Sequence, residues 1–192
     1  RAGVTPRVVD NPASLAAERI AAGEVVGWFE GRLELGPRAL GQRSLLADPR
    51  QRATRQRLNE RVKHRELYRP FAASVLAEAL DDWFEPPRGR AGAESSRELM
   101  LLAYPVDAPR AAQIPAVVHA DRTCRIQTVE RERQPTYHAL IARFGELTGV
   151  PLVLNTSFND QEPIVCSPDD ALATYSRTEI DCLFLGDRLV DR

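Results

Sequence analysis

Four short stretches carry side chains that could handle an anion: GPRALG (residues 36–41), VKHRELYRPF (62–71), HADRTCRIQT (119–128) and LNTSFN (154–159). The first three supply Arg38, Lys63, Arg65, Arg69, Arg122 and Arg125, and the fourth supplies Asn155, Thr156, Ser157 and Asn159. Arginine offers a planar fork of N–H donors that matches phosphate or carboxylate oxygens. Lysine offers a compact point charge on a flexible stem, able to follow an oxygen as charge moves onto it. Lys63 is the only lysine; every other basic residue among the 26 Lys and Arg is arginine. Three or four arginines, one lysine and a polar strand end would together hold a polyanion such as a nucleoside triphosphate. Singly each is weaker. An isolated Arg is most often a solvated surface charge, GPRALG can be a plain tight turn, Asn155 can cap a strand end, and one Lys can reflect a coding bias toward Arg. No Walker loop and no G-x-G-x-x-G is present, so a standard glycine-rich phosphate cradle is excluded.

The elements that must place these stretches follow from the pattern of apolar residues. Asn11-Pro12 opens a helix that runs to Gly23. EVVGWFEG reads as a strand turning at Gly31, GPRALGQRS as a loop, and SLLAD as a short buried strand. Residues 50–62 carry apolar positions in helical phase and predict a surface helix. PFAASVL is a strand and AEALDDWF a turn or two of helix, while residues 85–98 lack periodicity and predict a mobile loop. LMLLAYPV, AVVHA and RIQTVE predict strands, residues 135–148 a helix, and VPLVLNTS a buried strand. Ser167 and Pro168 start a further helix. IDCLFLGD and RLVD close the chain as a strand pair. Interleaved helices and strands give an α/β class with a mixed, largely buried sheet, and the four stretches fall at strand-to-loop junctions, where α/β folds place ligands.

Composition bounds the function. The 192 residues fit one large domain, and 43% hydrophobic with 28% charged residues is a globular profile rather than a disordered one. A net charge of −1 leaves no global field to attract nucleic acid or a membrane, so any anion site must come from local clustering. Cys124, Cys166 and Cys182 are odd in number and widely spaced, which argues for reduced thiols in a cytoplasmic protein. No Cys/His spacing predicts a metal; His64, His119 and His138 read as structural, with His119 the best candidate if one did bind. No apolar run reaches membrane-spanning length. The chain opens on Arg1 rather than Met and reads as a piece of a longer polypeptide.

The ordered strings LGPRALGQRSLLADPR, LNERVKHRELYRPFAASVL, IPAVVHADRTCRIQTV, LIARFGELTGVPLVLNTSFN, EPIVCSPDDAL and IDCLFLG resemble the C-terminal domain of the O-carbamoyltransferases of nodulation-factor and antibiotic biosynthesis. The resemblance covers nearly all of residues 8–187. It implies a YrdC-like fold over residues 1–192, an open twisted mixed β-sheet with flanking helices and a basic concave face. It also implies a partner, an N-terminal actin-like (ASKHA) domain of the same polypeptide that holds the acceptor. The implied chemistry takes ATP, with Mg²⁺ carried on it, and carbamoyl phosphate to a carbamoyl-adenylate, releasing phosphate and pyrophosphate, for transfer to a hydroxyl of a small-molecule acceptor. Carried over by motif, the substrate-binding basic groups are Arg38, Lys63, Arg69 and Arg125, and the polar pair is Asn155 and Ser157. Lys63 is then expected to act as a movable charge on the carbamoyl phosphate or the bridging oxygens, Arg38, Arg69 and Arg125 to clamp phosphates, and Asn155 and Ser157 to orient the carbamoyl end. By that resemblance, relatives usually carry Gly where Arg122 stands and a small residue at Cys124, and many carry Gly where Gln161 stands.

Two other readings stand beside this one. A threonylcarbamoyl-adenylate synthase of tRNA modification would use threonine and bicarbonate; GPRALG and NTSFN favour the carbamoyltransferase branch. A non-catalytic nucleotide- or RNA-binding module would use the same basic concavity, but neutral charge and missing aromatic platforms argue against RNA.

Overall fold

The computed structural model describes residues 5–85 and 93–192. The chain runs β1 (Arg7–Val8), α1 (Pro12–Ala21), β2 (Val26–Phe29), β3 (Arg43–Ala47), α2 (Arg52–Arg57), β4 (Ala72–Leu76), α3 (Leu80–Trp83), α4 (Ala93–Glu98), β5 (Ala103–Pro105), α5 (Ala108–Gln113), β6 (Thr123–Val129), α6 (Pro135–Thr148), β7 (Leu152–Ser157), α7 (Pro168–Arg177), β8 (Cys182–Leu185) and β9 (Arg188–Asp191). The strands form one open sheet in the order β1-β9-β8-β2-β3-β7-β4-β6-β5. Only β2 with β8 and β4 with β6 pair in parallel; the other neighbours are antiparallel.

Local chemistry sets the helix ends. The Asn11 side chain accepts the Ser14 amide at 3.0 Å and caps α1. Helix α6 has Pro135 in its first turn and stops at Gly149, whose φ of +76° suits a residue without Cβ. Its face of Tyr137, Leu140, Ile141 and Phe144 is buried, a helical repeat that packs beside α1. Ser167 and Asp170 close a reciprocal capping box at the start of α7. Central strands β3, β4 and β7 are buried along nearly their whole length, which explains their continuous apolar runs.

Several expectations need correcting. The helix expected over 50–62 is an α-helix only to Arg57 and then widens into a π-type turn over Leu58–Val62, closed by Lys63 N–H donating to Leu58 O at 2.9 Å. Leu58, Asn59 and Val62 are buried there, so the wider turn serves packing. Of the loop expected at 85–98, residues 86–92 lie outside the described residues and Ala93–Glu98 is helical. The strand expected through LMLLAYPV shrinks to β5, and AVVHA is a turn rather than a strand. There, Val117 N–H donates to Ile114 O at 3.2 Å and His119 N–H to Thr123 O at 2.8 Å, local bonds that replace a ladder. Helix α5 escaped the pattern because none of its residues is buried.

Candidate active site

Three of the four basic or polar stretches precede their strands and one follows its strand, yet all four meet. GPRALG leads into β3, VKHRELYRPF into β4 and HADRTCR into β6, while LNTSFN ends β7. Because β7 runs antiparallel to β3 and β4, its C-terminal end lies at the edge where the others begin. Ala72 of β4 pairs with both Arg125 and Asn155, and Ser44 pairs with Ser157. The site therefore sits at one end of the sheet, mostly before strands rather than after them.

Lys63 lies at its centre, only 3% exposed. Its Nζ donates to Ser157 O and Asn159 O, both at 2.7 Å, and lies 2.7 Å from Asn159 Oδ1 and 3.2 Å from Ser157 Oγ. The π-type turn directs it inward. Burial, helped by the charge of Arg65, pushes its pKa down to about 7 against the opposing pull of Asp160 and Glu162. Lys63 is thus not a mobile charge. It pins the loop after β7, and the Asn159 side chain continues the chain of bonds to Glu162 O at 2.7 Å. Thr174 Oγ1 donates to Glu162 Oε1 at 2.5 Å, and Arg177 pairs with it at 2.5 Å. Against some burial, those contacts and backbone amides hold the Glu162 carboxyl down at about 2, which ties the loop to α7.

A cavity of about 820 Å³ opens beside Lys63, lined by His64, Arg65, Arg69, Ser157, Asn159 and Asp160 among others. Cations follow one another along this region. Arg65 is pushed below its ordinary pKa by burial and by Arg69 and Arg125, and Arg125 by burial and by Arg38. Arg69 has one counter-ion, Glu66 at 2.9 Å. Arg125 has no ion pair among the described residues, and its Nε is buried without a partner. Uncompensated, half-buried like charges are costly, and the arrangement can accept negative charge at lower cost than it can stand without it.

The GPRALG loop is fixed from beneath. The Glu34 carboxylate accepts the amides of Leu40, Gln42 and Arg43 at 2.7, 3.0 and 3.2 Å. Gly41 has φ +105°, and a Cβ there would fall 2.3 Å from the Tyr137 ring, so only glycine lets the loop lie on α6. Asn155, 1% exposed, donates from Nδ2 to Ala39 O at 3.1 Å and Ser74 Oγ at 2.9 Å, while Gln127 Nε2 donates to Leu40 O at 2.6 Å. Asn155 therefore supports the loop and does not face the cavity.

Of the six residues singled out by sequence, Lys63, Arg69 and Ser157 line one cavity, Arg38 and Arg125 lie along the adjoining run of cations, and Asn155 is core. Arg65 and Asn159, noted in the same stretches but left out of the expected set, line the cavity with Lys63. Their two-residue spacing from Lys63 and Ser157 was the available signal. His119 lies elsewhere, 3.1 Å from Thr123 Oγ1 and 3.3 Å from Phe71 O, and burial lowers its pKa. Cys124 is buried with its thiol pushed up to about 12, an inert group. Among the described residues no group of three or more His, Cys, Asp or Glu could hold a metal ion, and no helix is long and apolar enough to cross a membrane.

The family described as "Carbamoyltransferase C-terminus" matches residues 17–192. Nodulation protein NolNO of Sinorhizobium fredii is 47% identical over 184 residues, 95% of this chain and 26% of that protein. The 3'-hydroxymethylcephem-O-carbamoyltransferase of Amycolatopsis lactamdurans is 40% identical over 174 residues, 90% of this chain and 32% of that protein. The chain thus spans about a quarter to a third of the length of these curated relatives. Full-length HypF, solved in a phosphate- and nucleotide-bound form, has a TM-score of 0.59 at 18% identity, covering 93% of this chain and 25% of HypF. That likeness is one of fold, in keeping with the expected YrdC-like open sheet.

Proposed function

Since this chain belongs to the carbamoyltransferase C-terminus family, we propose that it is the part of a carbamoyltransferase that activates carbamoyl phosphate with ATP. Water would open carbamoyl phosphate to carbamate and phosphate; a carbamate oxygen would then attack the α-phosphorus of ATP, forming carbamoyl-adenylate as the bond to pyrophosphate breaks. The rest of the longer polypeptide, an actin-like domain, would pass the carbamoyl group to a hydroxyl of a small molecule. The observation that carries this reading is the run of cations Arg38, Arg125, Arg65 and Arg69 beside Lys63, with one acidic partner for Arg69. Such a run suits two phosphorylated substrates at once, and HypF, a neighbour in fold, has been solved with phosphate and nucleotide bound.

Charge builds on the phosphate oxygens and the leaving pyrophosphate, so fixed cations that strengthen there lower the barrier most. The arginines would clamp phosphates by bidentate N–H pairs. Lys63 would keep Ser157 and Asn159 in place for the small carbamoyl end, with its ammonium behind them. With no acidic cage among the described residues, Mg²⁺ would enter on the ATP triphosphate.

The test is pyrophosphate release from ATP, with and without carbamoyl phosphate, by the full-length protein and its Lys63→Ala variant. Release that requires carbamoyl phosphate and drops by roughly 10²-fold or more in the variant supports the reading. Release driven by threonine and bicarbonate would replace it with a threonylcarbamoyl-adenylate activity. Salt-sensitive binding of an RNA oligomer with no release would replace it with a binding module.

A further inference from the structure

His64 stands between Lys63 and Arg65 with a φ of +42°, a left-handed backbone that few non-glycine residues adopt. This turn buries Lys63 while leaving His64 on the cavity wall, its side chain 45% exposed. Strained backbone of this kind persists where the surroundings hold it, and such places are often functional. The ring Nδ1 lies 3.0 Å from Asp160 Oδ2, and Asp160, 15% exposed, belongs to the loop that Lys63 pins. Asp160 Oδ1 is buried without a partner, so its carboxylate is committed to little besides the imidazole. A carboxylate on Nδ1 fixes that nitrogen as the donor and leaves the Nε2 lone pair free. No hydrogen bond engages Nε2 among the described residues.

We propose that His64, oriented by Asp160, is the general base for the opening of carbamoyl phosphate by water, an inference that rests on the carbamoyl-activating reading above. The water oxygen bonds to the carbonyl carbon, and the bond from that carbon to the phosphate oxygen breaks. Phosphate leaves with the electron pair, and the product is carbamic acid, which gives its remaining acid proton to solvent as carbamate. Nε2 takes the proton that water sheds, and Asp160 stabilises the imidazolium until the proton passes to solvent or to the departing phosphate. The other charged groups on the same cavity are Glu60, Lys63, Arg65, Glu66 and Arg69. The arginines Arg65 and Arg69 hold the phosphate, and His64 presents on the wall a ring nitrogen that no hydrogen bond engages among the described residues. The second half-reaction, attack of carbamate on ATP, moves no such proton and needs no base.

The two halves can be assayed apart in the full-length protein. One assay follows phosphate release from carbamoyl phosphate; the other follows pyrophosphate release from Mg·ATP with ammonium carbamate supplied directly. Asparagine tolerates a left-handed backbone, so His64→Asn preserves the turn. We expect that variant to lose phosphate release by roughly 10²-fold or more, the usual range for a general base, while carbamate-driven pyrophosphate release stays within about threefold of wild type. Asp160→Asn should lose about tenfold in the first assay only. Undiminished phosphate release in His64→Asn, or equal loss in both assays, overturns the role of His64. A wild-type enzyme that releases no phosphate from carbamoyl phosphate in either the presence or absence of ATP overturns the parent reading instead.

Discussion

Why one lysine stands among so many arginines is answered by the space around it. Four oxygens of Ser157 and Asn159 lie within 3.2 Å of Nζ. A compact ammonium with three rotatable donors fits that nest, and a planar guanidinium does not. Lys63→Arg should therefore fail despite its charge. The expected result is a loss of roughly 10²-fold in carbamoyl-phosphate-dependent pyrophosphate release, with the misfit destabilising the fold by about 1–3 kcal/mol, read by steady-state kinetics and thermal melting. The pH dependence has a definite sign. In the folded chain Lys63 titrates at about 7, below the ordinary 10.5. Between those values the unfolded chain binds the extra proton, so this group's contribution to stability rises with pH. Polyanion binding runs the other way: it favours the charged amine, draws in a proton, and should weaken as pH climbs through about 7. Lys63→Met should flatten both trends, seen as melting temperature against pH with and without ATP.

Elements whose burial repeats along the chain could be read in advance; those made by tertiary need could not. Helix α6, helix α7 with its Ser167 cap, and strands β3, β4 and β7 follow the apolar periodicity closely. The π-type turn before Lys63 and the exposed α5 leave no periodic trace, because one answers to packing and the other buries nothing. Lys63, Arg69, Arg38 and Arg125 were recognisable by motif, whereas the support role of Asn155 depends on three strands meeting. The turn into β6 shows both sides. Resemblance marks residue 122 as a usual glycine, and the structure gives Arg122 a φ of +60° with its amide donating to His119 O at 3.1 Å. A left-handed Arg costs about 1–2 kcal/mol, of which glycine's greater freedom in the unfolded chain returns about half. Arg122→Gly should then raise stability by about 0.5–1 kcal/mol, near 2–3 °C for a chain of this size. Pyrophosphate release should be unchanged, and a clear fall would instead place Arg122 on a substrate phosphate.

A chain of net charge −1 cannot draw phosphates in from afar, so the proposed anion site would have to be made by crowding cations where water is scarce. That crowding works against the fold. Arg125 shows it best: β6 carries it half-buried, burial and Arg38 push its pKa down, and its Nε has no partner. An unpaired buried donor costs about 1–3 kcal/mol, a cost the empty protein bears and a bound phosphate would relieve. Arg125→Gln should thus shift stability and binding in opposite directions. Without ligand the variant should melt higher, by about 1–2 kcal/mol or roughly 2–8 °C. With ATP at a hundred times the wild-type Kd, wild type should gain about 2.7 kcal/mol, and the variant clearly less. Differential scanning calorimetry with and without ATP measures both at once. A variant that melts lower when empty would show that Arg125 braces the sheet, and one that keeps the full ATP shift would remove it from the anion site.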